Sequence, residues 1–483
     1  MTTSRPYSIL GLPTDILILI LHQLLLVKDL AALSRTSRFL HVLVNEFGWA
    51  KWQRQNPRPS MSLSKSRMTW SPMARTKHDI LTDRSWAQSE FIARPLSGPW
   101  PAKEQPTMAT NSSRLVVAAG TTIYSYTFGR STDGDAPPIV PEGSCSLATR
   151  RDRSSYITAL TFIPDAGLDQ TLCVGFQDGT FERIALTGVS KRHASTTLRV
   201  RRAARQSLNL EKDLDSCESL TCSRNSLLSL SASGRATIAG VETPTPFSST
   251  IDLQVRSWSS HLCMESSSPY AAFGTSSATP LTMHSITSDR LAPVPSAVLQ
   301  QTESGNSGSA VYGISRGPPS SPWGSSPQIL VSGWYNGMVS IHDLRSSYLS
   351  SAPRGPHSLA PLRPVLNLSN SWSVEPIYSV SCGGGAGSHV AAGSARHSLL
   401  SLWDVRFPVR GFSVHAPLND QSPVYAVILE SSRLFGVTQS RPFVLDFGPG
   451  ITKNTHPYLG PDKGLDAFGY YVTKYTHRPP LRA

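Results

Sequence analysis

The stretch Ile329-Leu-Val-Ser-Gly-Trp-Tyr-Asn-Gly-Met-Val-Ser-Ile-His-Asp343 sets two short runs of aliphatic and β-branched residues on either side of Asn336-Gly337. Runs of this kind read as strands, and an Asn-Gly pair between them reads as a two-residue hairpin turn with positive backbone angles. The run Ala310-Val-Tyr-Gly-Ile314 lies upstream, so the unit is strand, strand, tight turn, strand. The same order recurs where 157–162 leads to 172–181 through Asp178-Gly179, and where 377–380 leads to 389–393 and 399–404. Weaker copies at 115–126, 220–238, 262–286 and 424–445 bring the total to seven units. Their spacing, mostly about 40 to 65 residues, suits propeller blades with lengthened loops. One unit cannot bury both faces, whereas a closed ring of them can. The expected fold class is therefore α+β multidomain, a small helical module followed by an all-β propeller, seven-bladed. A β-sandwich or a set of smaller β domains is the alternative. A strand near 90–94, set beside 443–445, is expected to close the ring.

Bulk composition agrees. Hydrophobic residues are 39% of the 483 and charged residues 16%, while 34 Gly and 37 Pro imply frequent turns. The formal net charge of +13 leaves open nucleic acid, a membrane surface, or acidic and phosphorylated protein segments as partners. The six cysteines, Cys145, Cys173, Cys217, Cys222, Cys263 and Cys382, show no disulfide or zinc spacing. A cytoplasmic and/or nuclear location and no bound metal are expected on that ground. The apolar stretch 16–27 contains His22 and Gln23 and is shorter than the roughly 20 residues that span a bilayer. Asp15 before it and Lys28-Asp29 after it argue against an export signal.

Helical periodicity is confined to the N-terminal 55 residues. Pro13 suits a first helical turn, and Ile16, Leu17, Ile20, Leu21 and Leu24 follow at three- and four-residue spacing, which lays an apolar stripe along one side of a short helix. Asp29 is read as the cap of a second helix carrying Leu30, Leu33, Leu40, Leu43, Val44 and Phe47, with Gly48 at its end. Some 40 residues bury so many aliphatics poorly by themselves, so part of the stripe either faces a partner or packs on the domain that follows.

These residues carry a resemblance. Leu12-Pro13-x-Asp15-Ile16-Leu17, Leu24, Lys28-Asp29-Leu30-x-x-Leu33-Ser34-Arg35-x-Ser37-Arg38 and Trp49 together resemble the F-box motif. The resemblance implies docking on the Skp-family adaptor of a cullin-RING ubiquitin ligase. On it, Leu12, Pro13, Ile16, Leu17, Ile20, Leu21, Leu30 and Leu33 are the expected adaptor-docking residues or their immediate support. The later units are similar to WD40 repeats, most visibly at Leu402-Trp403-Asp404 and Ile341-His342-Asp343, each soon followed by Arg. Gly-His pairs are absent before the units and only one ends in Trp-Asp, departures that put the usual buried Asp-His-Ser-Trp network in doubt.

The expected organisation is a helical F-box module at 8–55, a basic Ser/Pro-rich linker at 56–84, a WD40-like propeller at 85–458 and a tail at 459–483. Pro- and Ser-rich stretches at 292–328 and 350–370 are expected to be loosely held. Lys191, Arg192, Arg199, Arg201 and Arg202 lie in a run without acids, which reads either as a basic contact loop for phosphate groups or as a solvated loop between units. That run has no aromatic residue for base stacking, so nucleic acid is an unfavoured partner. No His-Glu-x-x-His motif or phosphate-binding Gly-x-x-x-x-Gly-Lys loop occurs, and neither enzyme activity nor a cofactor is expected. The combined resemblance is to F-box/WD-repeat substrate receptors, which implies recognition of an unidentified protein substrate with no membrane partner. A WD-repeat scaffold whose helices bind something other than a ligase is the alternative.

Overall fold

Short apolar runs that are to be buried must pair every backbone N–H and C=O, and this chain pairs them in antiparallel ladders. The computed structural model describes residues 9–132, 134–148, 155–192, 195–207, 215–241, 248–301, 309–346, 361–418, 420–459 and 472–477. The decisive stretch forms strands Ile329–Trp334 and Met338–Asp343, with Ile329 opposite Asp343 and Gly333 opposite Val339. Only the glycine of each turn pair has positive φ, 82° at Gly337 and 79° at Gly179. Gly337 N–H donates to Trp334 C=O (3.2 Å) and Gly179 N–H to Phe176 C=O (3.1 Å). These are thus longer turns ending in a left-handed glycine, in place of the expected two-residue turn with both residues at positive φ.

Among the described residues the β region comprises five hydrogen-bonded sheets, three of four or five strands and two of nine. The strands Thr107–Thr110, Ile157–Phe162, Cys217–Ser223, Ser257–Cys263, Ser309–Arg316, Ile377–Gly383 and Val424–Leu429 adjoin one another in that order, and the last adjoins the first. Ile92–Pro95 pairs with Pro442–Asp446, Ala93 opposite Leu445 and Arg94 opposite Val444, so the N-terminal side of the β region completes the sheet of its C-terminal side. The result is a nearly closed, propeller-like β body. Strands such as Ile329–Trp334, His389–Ser394 and Arg433–Thr438 are buried along their whole length, which is why their sequences read as continuous apolar runs without alternation. Glycines set the seams: a Cβ on Gly333 would meet Ile377 Cγ2 at 2.5 Å, and one on Gly393 would meet Val424 Cβ at 2.8 Å. Asp343 and Asp404 each accept a backbone N–H and guanidinium hydrogen bonds from the Arg two residues on, Arg345 and Arg406, fixing the turns that end those units.

The N-terminal module contains α1 (Thr14–Gln23), α2 (Val27–Ser34), α3 (Arg38–Leu43) and α4 (Trp49–Gln55). The single second helix expected there is in fact split. Ser37 Oγ accepts from Leu40 N–H and caps α3 (3.2 Å), while Asp29 lies inside the first turn of α2 and caps nothing. Gly48 is no terminus either; it lets Leu30 and Val44 pack within 3.3 Å of where a Cβ would sit. Leu17, Leu21, Leu30, Leu40, Leu43, Val44, Trp49 and Trp52 form the module's core.

Residues 56–84 are not a linker. They contain α5 (Ser64–Thr69) and most of α6 (Pro72–Gln88). Ser71 Oγ accepts from Ala74 N–H and Pro72 occupies the first turn of α6, a strong helix start. α4 packs on α6, with Gln53 Nε2 donating to Pro72 C=O (2.5 Å) and Thr76 Oγ1 (3.2 Å). The far end of α6 reaches the β body, where Trp86 stacks on Phe447 (3.7 Å between ring centroids) and donates its indole N–H to Ser431 C=O (2.9 Å). The buried carboxylate of Glu430 accepts from Ser60 Oγ (2.8 Å), Met61 N–H (3.0 Å), Ser62 N–H (3.1 Å) and Ser62 Oγ. The stretches expected to be loosely held also contribute strands, Ala297–Leu299, Ser309–Arg316 and Leu366–Ser369. In the tail, Lys474–Thr476 pairs with Gly411–His415; Phe468, Tyr470 and Tyr471 lie outside the described residues.

Candidate functional site

Two surfaces stand apart from the packing just described. The first belongs to the helical module. The stripe on α1 divides: Leu17 and Leu21 point into the core at 2% exposure, whereas Leu12, Ile16 and Leu19 share the opposite side, Leu19 at 58%. Leu25 (66%) and Leu26 (52%) follow in the connection to α2, with Ile9 and Leu10 ahead of α1 and Phe39 and Val42 on α3. Nine of the 23 exposed large apolar side chains among the described residues thus fall between residues 9 and 42. Burying such a side chain is worth roughly 1.5–3 kcal/mol, so a patch of this density is costly in water and gains from a partner.

The expected docking residues are therefore of two kinds. Leu12, Pro13 and Ile16 are exposed, Ile20 and Leu33 are half-buried, and Leu17, Leu21 and Leu30 are internal. The last three support the surface from beneath. Ile9, Leu10, Leu19, Leu25, Leu26, Phe39 and Val42 were missed. The 12, 16, 19 spacing is a legible second stripe, hidden because every position from Ile16 to Leu21 is apolar. A model of the F-box-like family matches residues 9–54. The exposed apolar patch is thus part of an F-box-like domain, whose typical partner is a Skp adaptor. No curated protein matches the chain.

The second surface lies across the β body from the F-box-like domain. Six of the adjoining strands carry the same irregularity near their start, a register shift that sets Thr158, Glu218, Trp258, Tyr312, Tyr378 and Tyr425 into β-bulges. Bulges re-aim side chains, and four of these are aromatic in consecutive strands. Trp258 and Tyr312 are 5.0 Å apart between ring centroids, Tyr312 and Tyr378 5.3 Å, Tyr378 and Tyr425 6.1 Å; Tyr335, on a turn, lies 6.3 Å from Tyr312. The Arg256 guanidinium stacks 4.0 Å from the Trp258 ring and pairs with Glu218 (2.9 Å). Partial burial and the neighbouring phenols push the Tyr312 hydroxyl up, and burial with Tyr378 and Asp420 nearby does the same for Tyr425. Both stay protonated and can donate.

The helices leave this face open. α5, α6 and the segment before them touch Ser113, Gly384, Gly385, Glu430 and Ser431, all in the loops after the adjoining strands. The aromatic row sits at the opposite ends of those strands.

The basic run is not a loop. It forms the hairpin of Thr180–Arg192 and Ser195–Arg202. Arg202 makes a bidentate pair with the buried Glu182 (2.5 and 2.7 Å), and Arg205 reaches Glu182 and Asp178 (3.3 Å each). The acids absent from the run are supplied by the adjacent strand and turn. Arg199 and Arg201 are exposed; the side chains of Lys191 and Arg192 lie outside the described residues. No helix among the described residues is long and apolar enough to cross a membrane.

Proposed function

We propose that this chain is the substrate-recognition subunit of an SCF-type E3 ubiquitin ligase, with the F-box-like domain docked on the Skp adaptor and a seven-bladed WD-type ring holding a protein substrate. The exposed patch of Leu12, Ile16, Leu19, Leu25 and Leu26 within residues matched by the F-box-like family carries the reading. The aromatic face around Tyr312 and Tyr378 favours a substrate site there, because rigid aromatics with free hydroxyls give large contact area at low entropic cost. α6 joins both ends through Gln53 and Trp86, so a substrate on that face is held in a fixed orientation to the ligase. The chain acts by proximity and contributes no catalytic side chain.

The test is reconstitution with purified Skp adaptor, cullin, RING subunit and ubiquitin-conjugating enzyme, using proteins captured on the full chain. Ubiquitination of a captured protein that disappears with Leu19→Asp/Leu25→Asp supports the proposal. Adaptor binding without any ubiquitination favours a scaffold, and absence of adaptor binding by the folded chain overturns the proposal.

A further inference from the structure

Where α4 meets α6, a groove of about 500 Å³ is lined by Ala50, Gln53, Pro57, Pro72 and four arginines, Arg54, Arg58, Arg67 and Arg75. Two of the four are committed within the fold. Arg67 grips Asp79 through both nitrogens (2.6 and 3.0 Å), and Arg58, its side chain 6% exposed, pairs with Asp83 (2.8 Å). Among the described residues Arg75 hydrogen-bonds only to the backbone, Nε donating to Trp70 C=O (3.1 Å). Arg54 is exposed and forms no ion pair among the described residues. Two guanidinium groups thus line the groove without an ion pair of their own among the described residues, and Asp79 and Asp83 are already gripped by Arg67 and Arg58. Burial and the adjacent Arg67 hold the Arg75 guanidinium below its ordinary pKa, and Asp79, already gripped by Arg67, offsets this only in part.

We infer that the groove is an anion-binding site for a protein segment bearing phosphate or clustered carboxylate groups, gripped by Arg54 and Arg75 with Arg58 and Arg67 behind them. Planar guanidinium forks match both anions in bidentate fashion. The groove has no aromatic lining on which bases could stack, which favours a peptide over a nucleic acid. The site lies outside the exposed apolar patch and at the opposite end of the molecule from the aromatic row, so it is independent of both. A ligand there would bridge α4 and α6, the contact that joins the F-box-like domain to the β body.

The test uses the full chain without adaptor and four fluorescent probes in polarisation titrations. These are a Gly-Ser peptide with two phosphoserines, the same peptide unphosphorylated, hexaglutamate, and a single-stranded oligonucleotide of equal charge. The site takes the phosphopeptide, hexaglutamate or both, and Arg54→Glu/Arg75→Glu weakens that binding by about tenfold or more. Arg54→Gln/Arg75→Gln weakens it less, and Arg199→Glu/Arg201→Glu leaves it unchanged. The preferred anionic peptide identifies phosphate or carboxylate as the source. The inference is overturned if neither anionic peptide binds, if the oligonucleotide binds more tightly than both, or if the Arg199/Arg201 variant loses as much as the groove variants while all melt like wild type.

Discussion

α1 and α6 invert the usual relation between composition and burial. α1 carries an unbroken apolar run from Ile16 to Leu21, yet Leu12, Ile16 and Leu19 on and beside it face solvent. α6 has no apolar stripe, yet it buries Thr76, His78, Asp79, Thr82 and Trp86. The difference follows from what each helix meets. α6 lies against the loops of the β body and against α5, whose backbone and charged groups demand polar partners, as Trp86 provides for Ser431 C=O and Asp79 for Arg67 of α5. α1 keeps an apolar side that nothing among the described residues covers. The intramolecular strut here combines polar contacts with one buried aromatic, Trp86, whereas the uncovered side of α1 is aliphatic.

That contrast breaks if removing the strut contacts costs little. Trp86→Ala should destabilise the chain by about 3–5 kcal/mol in urea unfolding, through loss of stacked area and an indole hydrogen bond; a loss below about 1 kcal/mol would mean that α6 is loosely attached. Glu430→Ala should cost about 2–4 kcal/mol, because it strands four donors of the 60–62 segment, and a variant as stable as wild type would contradict the clamp.

Polar burial also makes stability pH-dependent. His342 is fully buried, with Nε2 on Gln300 C=O (2.9 Å), and burial pushes its imidazole down to about 4. Unfolded histidine titrates near ~6.5. Between these values the unfolded chain binds the extra proton, so this contribution is intact above pH ~6.5 and is lost as pH falls towards 4, by up to about 3 kcal/mol. Urea midpoints at several pH values should show a slope that shrinks in His342→Asn; an identical slope in that variant would remove His342 as its source. The smallest effect falls on α1 and its connection. Leu19→Ser/Leu25→Ser should leave stability within about 0.5 kcal/mol, and a loss of several would place these side chains in a core.

Much of this was legible in the sequence, for physical reasons that differ by region. Strands 329–334 and 338–343 announce themselves because both of their faces are buried and Asn336-Gly337 punctuates them. Residues 90–94 were placed beside 443–445 from closure alone. The helical module is legible through Leu12-Pro13 and the spacing after it, and so are its exposed Leu12 and Ile16, but Leu19 is not, since periodicity ranks positions by apolarity and Leu17 and Leu19 are equally apolar. α6 was read as linker because its buried side is polar; Ser71-Pro72, a cap followed by a first-turn proline, was the signal available. Three of the groove arginines, Arg58, Arg67 and Arg75, fall in the expected basic linker for the same reason, and Arg202 reads as uncompensated because Glu182 arrives from the paired strand.

The most direct measurement is deuterium exchange on the full chain with and without purified Skp adaptor. Protection confined to residues 9–42, with the strands around Tyr312 and Tyr378 unchanged, is the expected result. Formation of no complex, or protection centred on the aromatic face instead, would contradict the assignment of one surface to the adaptor and the other to the substrate.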